Sequence, residues 1–205
     1  MPDLHLETEA GGIVAGVDEV GRGPWAGPVV AAAVILDAAA LPPSLAEAID
    51  DSKRLSARRR EDIARQLPAC ARIGIGAAAT AEITTLNILG ATFLAMQRAV
   101  EVLGENGALP DLALVDGNRL PRLPCPARTI IRGDSISLSI AAASIIAKVT
   151  RDRLMARLGA RYPGFGWERN AGYGTAEHQA ALKRLGITPH HRKSFAPIVK
   201  MLSLD

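Results

Sequence analysis

Aromatic residues are nearly missing from this chain, at 3% of 205 residues against 48% hydrophobic residues in all. The core must therefore be built from Ala, Val, Ile and Leu, and the few rings, among them Trp25, Tyr162, Trp167 and Tyr173, become individually informative. Cysteine is equally rare. Cys70 and Cys125 are too few and too far apart for a disulfide framework or a zinc site, which points to a reducing compartment. Neither sign of charge dominates: 24 basic and 21 acidic side chains leave +3, which permits a polyanionic partner without demanding one. The longest uninterrupted apolar run, Val29 to Leu36, falls far below the ~18 residues of a membrane span, and the first ten residues lack the basic and apolar segments of a secretory signal. No internal repeat and no low-complexity linker is present. These absences lead to the expectation of one soluble, cytoplasmic domain with no membrane association.

What is present reads as alternating strands and helices. "IVAGV" and "VVAAAVIL" look like neighbouring strands joined through a glycine- and proline-containing turn. "SARRREDIARQL" predicts a helix opened by Ser56, and "ARIGIGAAA" a further strand. From about Thr84 to Leu103 the spacing of Leu86, Leu89, Phe93, Met96 and Val100 predicts a long helix. "DLALVDGN" and "ARTIIRGDS" are short strands that end in Asp116 and Asp134. A second long helix is expected from Ser137 to about Leu158, and a third from Thr175 to Gly186. The order implies an α/β layered domain. The glycine-rich stretch between Tyr162 and Gly174 separates an expected core, 1–160, from a short helical region, 161–205, within one compact unit.

An acid at the end of a strand recurs: Asp18 with Glu19, then Asp116, then Asp134. One such acid is ordinarily a turn former or helix cap. Three strand ends on one sheet edge would bring carboxylates together, and at ~4 Å two like charges repel by roughly 1–4 kcal/mol. Such a cluster persists if it is protonated or holds a cation. Oxygen-only ligands favour Mg²⁺ or Mn²⁺ over zinc, and a carboxylate cluster holding two such ions suits in-line displacement at phosphate. Adjacent strand residues point to opposite faces, so Asp18 and Glu19 serve together only if the strand ends or twists there.

Ser137, Ser144 and Lys148 lie seven and four residues apart on one helical stripe. The stripe reads equally as a cap, a packing residue and a snorkelling lysine, or as a rail contacting phosphates. Gly21, Gly23 and Gly27 fit neither a P-loop nor a dinucleotide fingerprint. Glycine at 21 and 23 would let main-chain groups approach a ligand, with Arg22 between them as a phosphate ligand. His5, His190 and His191 read as solvent-facing, "ARRR" (Ala57–Arg60) as a solvated helix face, and His178 as a surface residue or a group backing the site. Trp25 fits beneath the glycine loop.

"DEVGRG" (Asp18–Gly23), "DSKRLS" (Asp51–Ser56), "LVDGN" (Leu114–Asn118), "GDS" (Gly133–Ser135), "AAASIIAKVTRDR" (Ala141–Arg153) and "AGYGTAEH" (Ala171–His178) together closely resemble bacterial ribonuclease HII, in that family's order and over nearly the whole chain. The resemblance implies a ribonuclease H-like fold: a five-stranded mixed sheet flanked by helices, with a small helical C-terminal region. It implies cleavage 5′ of a ribonucleotide embedded in duplex DNA, or within the RNA strand of an RNA–DNA hybrid, leaving 3′-hydroxyl and 5′-phosphate. Asp18, Glu19, Asp116 and Asp134 match the family's catalytic, metal-binding acids, which hold two Mg²⁺ or Mn²⁺ ions during catalysis. Gly21, Arg22 and Gly23 match its ribose-reading loop, Tyr173 its sugar-stacking tyrosine, and Lys53, Ser144 and Lys148 its phosphate contacts. A monomer is implied, with contact to a replication clamp as a further expectation. Arg132 and Ala171 depart from the family's usual residues. Two other classes share some of these features. A non-catalytic nucleic-acid-binding protein explains the basic residues but not strand-end acids that repel DNA. A metal-dependent phosphatase or nucleotidase on small substrates has little use for the separated lysines and the late tyrosine.

Overall fold

A computed structural model of the chain describes residues 1–105, 107 and 109–203. Five strands, β1 (Val14–Val20), β2 (Val29–Leu36), β3 (Ala71–Ala78), β4 (Leu112–Asp116) and β5 (Ala127–Ile130), form one mixed sheet in the order β3-β2-β1-β4-β5. The first three pair antiparallel, whereas β4 joins β1, and β5 joins β4, in parallel. β1 and β4 therefore finish at the same edge of the sheet.

Helices cover both faces, so β2 is apolar without alternation: Ala31, Ala33 and Ile35 face one layer, Ala32 and Val34 the other. On the first face lies α4 (Thr80–Glu105), whose Ala91, Ala95, Met96, Ala99, Val100 and Leu103 are buried. The opposite face receives α5 (Leu138–Arg161) and, outside it, α3 (Ala57–Gln66). Small side chains let these layers close up. A Cβ at Gly16 of β1 would stand 2.1 Å from the main-chain carbon of Ser139, so α5 begins directly against the strand that carries Asp18. Shorter helices complete the chain: α1 (His5–Ala10), α2 (Pro43–Ala46), α6 (Trp167–Asn170), α7 (Ala176–Leu185) and α8 (Ala196–Leu202).

The long helix starts four residues before the apolar periodicity does. Glu82 accepts from the Ala79 amide at 2.8 Å and pairs with Arg98 at 2.7 Å, which secures a polar first turn. The helix also breaks at Asn87 (φ 58°, ψ 175°), whose side chain accepts from the amides of Leu89 and Gly90 and so caps a second segment. Among the described residues α4 is the one helix long and apolar enough, by length and composition, to cross a membrane. Its apolar side chains are instead packed on the sheet.

The C-terminal helices have a cluster of their own, made by Phe165, Trp167, Ala181, Leu182 and Ile198 with Met155 of α5 and Ala26 of the β1–β2 connection. Through Ala26 this cluster reaches the loop that follows Asp18 and Glu19.

Candidate active site

The parallel register Val17 with Val115 puts the next residues, Asp18 and Asp116, side by side at the sheet edge. β5 pairs Ile130 with Asp116, and the chain then turns through Arg132 in the left-handed region (φ 56°, ψ 42°) into a short 3-10 turn, Gly133–Ser135. That turn aims the Gly133 amide at Asp116 Oδ1, 2.7 Å away, and sets Asp134 beside the other acids. A Cβ at Gly133 would lie 2.5 Å from Ile140 Cδ1, so any side chain there would have to displace the end of that buried isoleucine.

The pleat resolves how neighbouring acids on β1 both contribute. Asp18 points to the α5 side and Glu19 to the α4 side, as the alternation of Val17 and Gly16 about the strand requires. A cleft of ≈ 420 Å³ is lined by Asp18, Glu19 and Asp116, and an adjoining cavity of ≈ 380 Å³ by Glu19 and Asp116 without Asp18. Glu19 and Asp116 rim both spaces, and Asp18 the first alone.

Charge is poorly compensated here. Burial raises the Asp18 carboxyl well above the usual range, and Glu19, Asp116 and Asp134 push it further, against a 2.7 Å bond from the Glu19 amide. Glu19 is raised by burial and by Asp116, although Arg22, 3.3 Å away, pulls it down. Asp116 is raised by burial and by Asp134, against the Gly133 amide and Lys53. Lys53 Nζ stands 3.5 Å from Asp134 Oδ2; its partial burial is outweighed by Asp134, Asp51 and Asp18, which raise its pKa. Among the described residues no three His, Cys, Asp or Glu side chains close into a metal-binding group. The acids form an open, oxygen-only cup, the donor set that hard divalent cations take.

The same ≈ 420 Å³ cleft is lined by Gly21, Arg22, Gly23, Lys53, Ser144, Lys148 and Tyr173, so the residues singled out from the sequence converge on one place. Asp134 joins them through Lys53. Tyr173 is 47% exposed, and a Cβ at Gly23 would meet its Cε1 at 3.4 Å. The Ser144 hydroxyl lies 2.6 Å from that of Ser52, and Lys148 pairs with Asp152 at 2.7 Å.

The structure decides between the two readings of Ser137 and overturns the expected exposure of His191. Ser137 does not extend the stripe into the cleft: it caps α5 by accepting from Ile140 and donates to the Glu7 carboxylate at 2.6 Å. Gly21 (φ +94°) has its side-chain space filled by Arg151 Nε, 2.1 Å from where a Cβ would be, while its main chain lines the cleft. His191 is buried at 1% exposure rather than solvent-facing, and His178 is buried with it. The Trp25 ring fills the side-chain space of Gly174 in the tyrosine segment.

Sequence reasoning missed Arg151 and Arg192, both buried completely and bonded to main-chain carbonyls. Arg151 donates to the carbonyls of Pro28, Ala171 and Ala26, and Arg192 to those of Gly27, Arg22 and Gly21. For Arg151 a signal existed: it follows Ser144 by seven residues and Lys148 by three, on the inward stripe of α5.

Fold and acidic cleft together define a nuclease of the ribonuclease H type. The crystal structure of ribonuclease H2 from Pyrococcus horikoshii OT3 is similar with TM-score 0.71 and 26% identity, covering 93% of this chain and 97% of that one. The RNase HII of Archaeoglobus fulgidus, solved in complex with PCNA, is similar with TM-score 0.66 and 26% identity over 89% and 95% of the two chains. Bst-RNase HIII in complex with Mn²⁺ shares the fold at 20% identity and TM-score 0.77, over 100% of this chain and 74% of its own. The sequence model for Ribonuclease HII matches residues 15–198, and the Ribonuclease HII of Paramagnetospirillum magneticum is 64% identical over 98% of this chain and 99% of its own. The chain belongs to the ribonuclease HII family. It is an enzyme, a ribonuclease H of class EC 3.1.26.4.

Proposed function

We propose that this endonuclease hydrolyses the phosphodiester 5′ of ribonucleotides embedded in duplex DNA, and the RNA strand of RNA–DNA hybrids, leaving 3′-hydroxyl and 5′-phosphate in the service of DNA replication and repair. The observation that carries the reading is the convergence on one cleft of poorly compensated acids, an exposed tyrosine ring and a glycine-flanked arginine. A small-molecule phosphatase would need the acids but not the ring or the separated cations.

Asp18, Glu19, Asp116 and Asp134 would hold Mg²⁺ or Mn²⁺, which when bound supply an activated water and neutralise charge at the departing 3′-oxygen. The buried, like-charged surroundings of Asp18 fit a divalent cation better than a proton alone, because several carboxylates share the deficit. Lys53, relieved of Asp134 when a cation takes its place, is near enough to contact a phosphate; Arg22 and Lys148 add positive charge along the cleft. Tyr173 stacks on the sugar at the DNA–RNA junction while the Gly21–Gly23 main chain meets the ribose 2′-hydroxyl. Ser144 steadies the cleft wall through Ser52 and contacts the strand from there. Residues 161–205 act with the 1–160 core as one catalytic unit by contributing this tyrosine.

The enzyme works as a cytoplasmic monomer in this reading, and the clamp-bound archaeal relative supports contact with a replication clamp. Product analysis tests the reaction: the 3′ end left by cleavage of a duplex with one ribonucleotide should be extended by a DNA polymerase without end repair. A 3′-phosphate or cyclic phosphate would refute the proposed chemistry.

A further inference from the structure

The two elements proposed to read the ribonucleotide, the Gly21–Gly23 loop and the Tyr173 segment, are far apart in sequence and are held from behind by consecutive residues of the C-terminal strap, His191 and Arg192. Arg192 Nη1 donates to the Arg22 carbonyl at 2.8 Å, Nη2 to Gly21 at 2.5 Å and Nε to Gly27 at 2.9 Å. Its own amide donates to the Trp25 carbonyl at 2.8 Å. One fully buried guanidinium thus fixes both ends of the turn that contains the loop.

His191 works on the other element. His178 Nδ1 lies 2.9 Å from the Tyr173 carbonyl, so this nitrogen carries the proton and Nε2 is an acceptor. His191 Nε2 lies 3.1 Å from that acceptor and must donate to it, while His191 Nδ1 accepts from the Thr188 amide at 2.8 Å. The bonds run in one direction, Thr188 to His191 to His178 to the Tyr173 carbonyl, and both rings are neutral. Trp167 Nε1 adds a second donor to His178 at 3.2 Å.

We propose that His191 and Arg192 are positioning residues that hold the tyrosine ring and the glycine loop in one register, so that ribonucleotide selection depends on a dipeptide that never touches substrate. The pair lies outside the acid cluster. His191 also packs against the rings of Phe165 and Trp167, and Arg192 over Phe195, but the polar contacts of the pair are carbonyls and a relay, which is what fixing a main-chain trace requires. The inference rests on the proposed reading of Gly21–Gly23 and Tyr173 as ribonucleotide contacts.

The test compares Arg192→Lys, His191→Gln and Tyr173→Ala with the unaltered enzyme. The readouts are kcat/KM on a duplex with one ribonucleotide, Kd for an all-DNA duplex of the same sequence, and circular dichroism. A lysine keeps the charge but cannot serve three carbonyls, and glutamine interrupts the relay while leaving the Arg192 bonds. Both variants should lose roughly 10- to 100-fold in kcat/KM, as displacement of about 1 Å at a reacting centre does, with duplex affinity within about twofold. Folded variants that cleave normally, or that lose cleavage and duplex affinity equally, would overturn the proposal. Failure of both variants to fold would overturn it too, by making the pair a requirement of the core. If Tyr173→Ala itself leaves kcat/KM unchanged, the underlying reading of the tyrosine fails instead.

Discussion

Lys53 Nζ lies 3.5 Å from Asp134 Oδ2, an ion pair that spans 81 residues of sequence and sets an exposed cation against a buried acid. Its exposure means that the pair contributes little to stability. Lys53→Ala should change the unfolding free energy by less than about 1 kcal/mol. If Lys53 contacts a phosphate, the same variant should lower the slope of log K against log salt for substrate binding by about 1. Binding titrations across salt concentrations decide this.

Asp18 carries the strongest unrelieved repulsion. Asp18→Asn keeps an acceptor for the Glu19 amide and removes one negative charge from the cluster. The cation-free variant should melt higher than the unaltered protein by several degrees, at about 2–4 °C for each kcal/mol in a chain of this size. Mg²⁺ should then raise its melting temperature less. Thermal melts in chelator and in Mg²⁺ measure both effects.

The turn before Asp134 depends on Arg132 adopting a left-handed backbone. Arg132→Gly should be neutral or stabilising by up to about 1 kcal/mol. Arg132→Val, with a branched side chain in that region, should cost about 1–2 kcal/mol and lower cleavage by displacing Gly133 and Asp134. Denaturant unfolding and initial rates separate the two.

Burial, reinforced by His178 and His190, lowers the His191 pKa to about 4 from an ordinary 6.5. The folded protein therefore binds fewer protons than the unfolded chain between those values. This contribution is complete above about pH 6.5 and is lost as pH falls toward 4, by about 3 kcal/mol. Stability measured against pH should show this decline, and His191→Gln should flatten it.

The parts of this molecule that were legible in the sequence are those encoded locally. Apolar runs ending in Asp18 and Asp116 gave strands and the acid edge, since a strand that is buried on both faces must be apolar and its end is where a charge can stand, whereas the strand expected to end in Asp134 stops at Ile130 and leaves that acid in the 3-10 turn beyond it. α5 and α7 were readable from caps and spacing, and Ser137 and Thr175 do cap them. What was illegible depends on partners distant in sequence. Gly21 and Gly27 have their side-chain space filled by Arg151 and Met155. Arg192 reads as a surface cation until its three carbonyl partners, 165 to 171 residues away, are brought to it. His191 is buried for the same reason. α1, α2, α6 and α8 span one or two turns, too little for a periodicity to show.

The most direct measurement is incision of an end-labelled duplex containing one ribonucleotide, in Mg²⁺, Mn²⁺ or chelator, by the unaltered enzyme and by Asp18→Asn, beside an all-DNA control. Incision should be metal-dependent and lie just 5′ of the ribonucleotide, with the control uncut and turnover lost in the variant while duplex binding is retained. Incision in chelator, or near-normal turnover by Asp18→Asn, would contradict the proposed metal-dependent cleavage.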